Sequence, residues 1–294
     1  MQLLLYWVRI NFATFDIPVS LDGLEYYSFA YEIVFSSNFP VGILGTNDGW
    51  GLFLSIFFTI FSNTDFMTLN FIQKSSSIIL SVITIIPLYY LCRHFVPERF
   101  AVIGSALFIL DPRIITNSTL GITEPLFIFL NTIILVSVFK NNSRFILLTF
   151  VLIALSSIVR YEGLLMIIPI SIIYFIRFKP NKKLVRNFLI GIILFLILLA
   201  PIIVLRMDAN GMDGLSSHIF PSYISAELIE DSGNKLVDVD SNDNFLLDFG
   251  KKSIFNTLKY IVWVCVPLFV VLLPIGLYKI FKDKNNKINY LILL

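Results

Sequence analysis

The chain has 294 residues, 57% of them hydrophobic and 14% charged, with 29 phenylalanines and a mean hydropathy of +0.84. Soluble domains carry about 25% charged residues, so this composition excludes a water-soluble fold. The formal net charge of +2 says little by itself, and no nucleic-acid partner is expected; how the charge is distributed says more.

Apolar runs of about 20 residues recur along the chain, the length a helix needs to cross a hydrocarbon core of about 30 Å. The expected fold class is all-α, a polytopic transmembrane helical bundle of about 7–9 spans with interfacial helices in its first external loop. The two cysteines, Cys92 and Cys265, lie in or beside apolar runs and suggest neither a disulfide framework nor a metal ribbon. The first apolar stretch lacks a basic leader and a small-residue cleavage site, so no cleavable signal is expected.

Met1 to Phe15 is apolar but interrupted by Arg9, and a helix of that length rises only about 22 Å. It reads as a tilted or interfacial piece, or as the remnant of a span that begins upstream. The first external loop is placed at 16–66. It opens on an acidic island, Pro18 to Ala30, where helical spacing puts Asp22, Glu25, Tyr26 and Ala30 on one face. Two readings of that face are compatible. Asp22 caps a helix with Glu25 as its capping-box partner, or the acids offer a base to a lipid-borne substrate at the membrane edge. Asn38 to Gly51, rich in Gly, Pro and Asn, reads as loop. Trp50 to Phe61 reads as a short interfacial helix.

Spans are predicted at Phe71–Leu91, from Phe100 to Leu110 and on toward Ile115, and at Pro125–Phe139, Phe145–Val159, Leu164–Ile176 and Phe188–Leu205. After a long polar segment, Ile254–Tyr278 makes a seventh, with kinks expected at Pro267 and Pro274. The stretch from Ile288 to Leu294 opens another element, and the chain is expected to be a fragment of a larger protein. The domain division follows: 1–206 a transmembrane catalytic region, 207–253 an acidic external loop, and 254–294 a C-terminal transmembrane part.

Orientation comes from the junctions. Alternate ones hold Arg93 and Arg99; Lys140 and Arg144; Arg177, Lys179, Lys182, Lys183 and Arg186; and Lys279, Lys282, Lys284 and Lys287. That is 13 of the 22 Lys and Arg on one face, which the positive-inside rule makes cytoplasmic. The other face receives Asp22, Glu25, Asp111, Arg113, Glu124, Arg160, Glu162 and the acidic loop. An ionised group at mid-bilayer costs about 2.5–3.5 kcal/mol, so such residues usually face a cavity, a partner or a substrate. Glu124 reads either as a first-turn residue behind an N-cap Thr123, with Pro125 just inside, or as a functional acid. Arg160 and Glu162 either pair with one another, or Arg160 offers its fork of donors to a phosphate.

The series Pro18, Asp22, Tyr26, Ala30 in the first external loop resembles the Pro-x-x-x-Asp-x-x-x-Tyr-x-x-x-Ala pattern of the GT-C class of membrane glycosyltransferases. The likeness continues through Tyr89-Tyr-Leu-Cys-Arg93 and through Leu110, Pro112, Thr123, Glu124, Pro125, Leu126 and Phe127. It ends near Arg160-Tyr-Glu-Gly163, having covered roughly the first half of the chain. The chain is most similar to the aminoarabinose-transferase and protein O-mannosyltransferase branch.

That resemblance implies an inverting transfer of a sugar from a polyprenyl- or dolichyl-phosphate donor. The acceptor is a lipid, glycan or protein on the extracytoplasmic face of the cell membrane, and no nucleotide is used. Carried over residue by residue, Asp22 maps to the general base and Glu124, more loosely, to a second catalytic acid. The family often has adjacent Asp-Glu in this loop, whereas here Asp22-Gly23 is followed later by Glu25, the third catalytic candidate. The same two acids, Asp22 and Glu124, are the candidate ligands of a divalent Mg, Mn or Zn ion. Arg160, Tyr26, Arg113, Lys74 and Glu162 form the candidate substrate-binding set, with the cations facing the donor phosphate.

The acidic loop holds nine acids from Asp208 to Asp248 and one lysine, Lys235. Its Asp238-Val-Asp240-Ser-Asn242 imitates a calcium loop, but Asp243 stands where Gly is needed and Phe249 where Glu is needed, which rejects an EF-hand. The rival functional readings are a transporter or flippase-like carrier, lined by Lys74, Ser75, Ser76, Ser77, Asn131, Ser156 and Ser157, or a non-catalytic membrane subunit. Carriers place their sites near the midplane, and here the charges cluster at one surface.

Overall fold

The computed structural model describes residues 6–7, 9–11, 13–19, 22–36, 39–40, 47–140, 145–177, 182–210, 251 and 254–256. The chain forms two compact units, Met1–Phe220 and Pro221–Leu294. Among the described residues all regular structure is helical, as the composition led one to expect. In the second unit, Lys251 and Ile254–Asn256 are helical. The rest of the expected span Ile254–Tyr278 lies outside the described residues, as does the acidic loop from Gly211 to Gly250.

In the first unit, α1 (Asp22–Phe35) carries both Asp22 and Glu25 in its first turn. The positive end of the helix dipole favours a carboxylate at that place. Helix α2 (Asp48–Ile60) begins inside the stretch expected to be loop. The reason is that two of its glycines serve packing rather than turning. A Cβ on Gly49 would lie 2.6 Å from the backbone nitrogen of Val159, and one on Gly51 would lie 2.3 Å from the ring of Phe29.

Helices α3 (Phe66–Ile83) and α4 (Ile85–Phe95) form a unit of 30 residues broken only at Thr84. Pro87 accounts for the break, because it cannot donate to Ile83 across it. Helices α5 (Glu98–Ile109) and α6 (Pro112–Thr119) meet at a bend of 51°. Asp111 caps α6, accepting from the backbone nitrogens of Arg113 at 2.8 Å and Ile114 at 3.4 Å. Then follow α7 (Glu124–Phe139), α8 (Phe145–Val159), a 3-10 turn at Tyr161–Met166, α9 (Ile167–Arg177) and α10 (Lys182–Asn210). The last carries the chain past Leu205 into residues expected to be loop.

By length and hydropathy, Phe66–Phe95 and Leu184–Asp208 can each cross a bilayer, and α5 with α6 passes the same test as a bent pair. Along α10, Leu189, Ile193, Leu196, Ile197 and Val204 stand more than half exposed. An apolar helix surface left open in this way suits lipid contact. The core beneath is aromatic and aliphatic, with Phe29, Trp50, Phe58, Phe150 and Ile153 fully buried.

The polar residues within the apolar helices act as ties. Ser156 Oγ donates to Asn131 Oδ1 at 3.1 Å, Ser137 and Thr149 hydroxyls meet at 2.6 Å, and Ser157 Oγ donates to the Ile153 carbonyl at 2.7 Å. The first two bonds join α7 to α8, as small hydroxyl residues do between membrane helices, and the third stays within α8. Lys74 is buried in α3, and its ammonium donates to the carbonyls of Thr14 and Ile17, both at 2.7 Å. The side chain that was expected among the phosphate-facing cations thus anchors the segment ahead of α1.

Candidate active site

One end of the first unit gathers the starts of α1, α2 and α7 with the ends of α6, α8 and α10. The joint that holds them is Gly121. Its φ of 71° is open to glycine and disfavoured for residues with a Cβ, and it turns the chain between α6 and α7. Its carbonyl accepts from Trp50 Nε1 at 2.8 Å and from Gln73 Nε2 at 2.7 Å, using both lone pairs. Gln73 Nε2 also donates to the carbonyl of Gly23 at 2.8 Å. A Cβ on Gly23 would sit 2.9 Å from the Leu120 carbonyl oxygen, so the first turn of α1 lies directly on the α6–α7 turn. Gln73→Leu leaves the buried Gly23 carbonyl without that donor, which costs about 1–3 kcal/mol. The expected result is a lower melting temperature of the detergent-solubilised protein; an unchanged melt would show that this joint is not what holds α1 in place.

Beside that joint, three charged side chains form one network. Arg160 stands between α8 and the 3-10 turn, and the turn doubles back so tightly that a Cβ on Gly163 would lie 2.6 Å from the backbone of Ser156 and Ser157. Its Nη2 donates to Glu162 Oε1 at 2.9 Å and its Nε to Glu162 Oε2 at 3.4 Å, a two-pronged grip. Its Nη1 donates to Glu124 Oε1 at 3.1 Å and to Thr123 Oγ1 at 3.4 Å. The Phe127 ring lies 5.8 Å from the guanidinium carbon. Burial lowers the pKa of Arg160, but the carboxylates of Glu162 and Glu124 outweigh it and leave the group above its ordinary value. Most donors of the guanidinium are therefore occupied by protein carboxylates.

Tyr26 is buried against this network, its hydroxyl within reach of Thr123 and Asn47. Desolvation raises its pKa, opposed by those two hydrogen-bonding neighbours and by Arg160. Thr123 precedes α7 at the cap position but makes no capping bond; its hydroxyl meets Glu124 and Arg160 instead. Glu124 also borders a narrow cleft with Ser81, Thr84, Phe108, Ile114, Asn117, Pro125 and Ile128. Its free volume of about 10 Å³ has room for about one water.

The expected site residues thus fall into groups. Tyr26, Glu124, Arg160 and Glu162 come together. Asp22 and Glu25 are exposed on the first turn of α1, next to the Leu120–Gly121 turn and outside the hydrogen bonds that join Arg160 to Glu124 and Glu162. Arg113 is exposed on α6, and Lys74 is committed elsewhere, as described. A residue pair that sequence reading missed underlies the site. Asp48 and Arg206 are buried together, joined by Arg206 Nε to Asp48 Oδ2 at 2.8 Å and by a second bond from Nη2 to Oδ1. They tie the start of α2, one residue after Asn47, to the end of α10.

A family model described as dolichyl-phosphate-mannose-protein mannosyltransferase matches residues 50–205, more than half of the chain. The chain belongs to this family. It is therefore a GT-C-type glycosyltransferase of the membrane. No curated protein and no solved structure matches it. The mannosyltransferase match contains Glu124, Arg160 and Glu162, while Asp22, Glu25 and Tyr26 precede it.

Whether the residues suit a divalent ion can be judged from the donors. Hard cations such as Mg²⁺ take six oxygens. Among the described residues no three of His, Cys, Asp and Glu stand together as a ligand set, and Glu124 already faces a guanidinium. An ion held by Asp22 and Glu124 would have to complete its shell with water and the donor phosphate, and no step below is routed through a metal.

Proposed function

We propose that this chain moves a sugar from a polyprenyl- or dolichyl-phosphate donor to a hydroxyl of a lipid, glycan or protein acceptor, at the end of the bundle that carries Glu124 and Arg160. The observation that carries this reading is the network of Glu124 and Glu162 on one guanidinium, set beside the open first turn of α1, in a chain of the mannosyltransferase family. The basic junctions opposite to it support an extracytoplasmic orientation for that end. On this reading α7 and α8 also cross the bilayer, by local thinning and snorkelling of their flanking residues, and the chain spans it seven or more times.

The reaction needs little from the protein beyond placement and charge. Asp22 takes the proton of the acceptor hydroxyl as its oxygen attacks the anomeric carbon. The bond from that carbon to the phosphate oxygen breaks with inversion, and the electron pair leaves on the lipid phosphate. A lipid phosphate already lies at the headgroup plane, so the donor reaches the site from the bilayer. Glu124 orients the acceptor, and Arg160 fixes the angle of Glu124. Exposed Arg113, with the donor that Arg160 has left over, supplies positive charge toward the leaving phosphate. The narrow cleft behind Glu124 is too small for a sugar, which favours the open edge at Asp22 and Glu25 as the reacting surface. Asn131 is engaged by Ser156 and the Ser157 hydroxyl by its own helix, which speaks against a carrier path between α7 and α8.

The test is incubation of membranes holding the chain with a radiolabelled polyprenyl-phosphate sugar. Label that moves to protein or lipid supports the transferase. Label that stays on the donor while donor crosses the bilayer would favour the carrier.

A further inference from the structure

At the far end of α7 the structure holds a second polar feature that glycosyl transfer does not use. A cavity of about 390 Å³ is lined by Tyr90, Arg93 and His94 from the last turns of α4, and by Val136, Phe139 and Lys140 from the end of α7. Glu124 begins α7 and Lys140 follows its last turn, so this cavity lies about 24 Å along the helix from the transfer site. It cannot belong to that site.

Its chemistry is that of an anion receptor with a greasy wall. Arg93 and Lys140 are both exposed, and no acid lines the cavity. Glu98 lies 4.0 Å from Arg93 and also receives the Tyr89 hydroxyl at 3.1 Å. At 4.0 Å, with both side chains more than half exposed, that pair is a weak competitor for an incoming anion. The floor is aromatic: the His94 and Phe139 rings lie 3.9 Å apart, and Phe95 packs edge-on to Phe139 at 5.4 Å. Tyr90, 55% exposed, stands at the mouth. A free phosphate in water would gain nothing from the Tyr90 ring, Val136 and Phe139. A phosphate carried on acyl chains would place its charge between Arg93 and Lys140 and its glycerol and first methylenes along those three.

We propose that this cavity binds the phosphate headgroup of an anionic phospholipid, in the leaflet opposite the one that presents the sugar donor. Lysine and arginine clusters at the ends of membrane helices hold acidic lipids at about 1 kcal/mol for each cation. Seating such a lipid there would fasten α4 to α7, the helix whose other end presents Glu124. The inference rests on the cavity and not on the transfer reaction.

The test uses the full chain purified into nanodiscs of phosphatidylcholine containing phosphatidylglycerol, with retained lipid counted by native mass spectrometry. Arg93→Gln and Lys140→Gln should each weaken phosphatidylglycerol retention about fivefold, and the double variant about twentyfold. Arg99→Gln removes an exposed cation of the same end that does not line the cavity, and it should leave retention unchanged. A loss as large in Arg99→Gln would mean diffuse surface charge and overturn the site. Equal retention of phosphatidylcholine, or displacement of the lipid by millimolar inorganic phosphate, would overturn the lipid assignment. A melting curve for each variant identifies any that fails to fold; if both single variants fail, phosphatidylglycerol titrated onto the wild-type chain must raise its melting temperature while phosphatidylcholine does not, or the proposal falls.

Discussion

Asp22→Asn should reduce transfer of labelled sugar by about 10²–10⁴-fold, the usual worth of a placed general base, while the melting temperature stays at the wild-type value. The two readouts separate cleanly because Asp22 is exposed, so neutralising its carboxylate leaves no buried charge unpaired. What fixes it is the backbone around it: Gly23 lies on the Leu120 carbonyl and is held by Gln73. Asparagine keeps the shape and the helix-start hydrogen bonding but cannot accept a proton at neutral pH. Glu25 shares the same exposed first turn, and Glu25→Gln is expected to cost far less. If Glu25→Gln silences transfer and Asp22→Asn does not, the base is Glu25 and the mapping of the first-loop acid is wrong. If neither does, the base lies outside α1.

The second large effect concerns stability. Arg206→Gln should destabilise the folded chain by about 3–5 kcal/mol, because it leaves the Asp48 carboxylate, 1% exposed, without a countercharge. The size of the loss comes from burial rather than from the pair's attraction. A neutral pair of similar shape should therefore be tolerated: Asp48→Asn combined with Arg206→Gln is expected to recover most of the melting temperature lost by Arg206→Gln alone. A double variant no better than the single one would show that the charges do not act as a pair. The single variant should also disturb the site, since Asp48 follows Asn47, whose side chain reaches Tyr26.

How much of this could be read from the sequence depends on the range of the interaction. Helix α8 runs over the residues its hydrophobic pattern marks, Phe145–Val159, and α7 starts at the Thr123-Glu124-Pro125 signal. Both are local patterns, set by side chains three and four residues apart. The start of α2 was misread for an instructive reason. Glycine signals a turn when it frees the backbone, and close packing when a neighbour leaves no room for a Cβ. Gly49 and Gly51 are of the second kind, and only Val159 and Phe29 reveal it. The Asp48–Arg206 pair spans 158 positions, and nothing near either residue announces the other. Lys74 was legible as an unusual charge in an apolar helix but not as a donor to Thr14 and Ile17, because hydropathy does not tell which neighbour a given face meets. For Arg160, pairing with Glu162 was one of two readings. Its grip on Glu124, 36 positions away, is a product of the fold, and no local pattern around either residue announces it.

In the proposed reaction the lipid phosphate leaves at the Glu124 end of the bundle. A photoreactive polyprenyl-phosphate sugar, its diazirine placed next to the phosphate, tests this directly when crosslinked to the full chain and mapped by peptide mass spectrometry. The predicted result is label on residues 111–127 or 157–166, competed away by unmodified donor. Label competed in the same way but confined to the Tyr90 to Phe100 stretch or to Phe139 and Lys140 would contradict it.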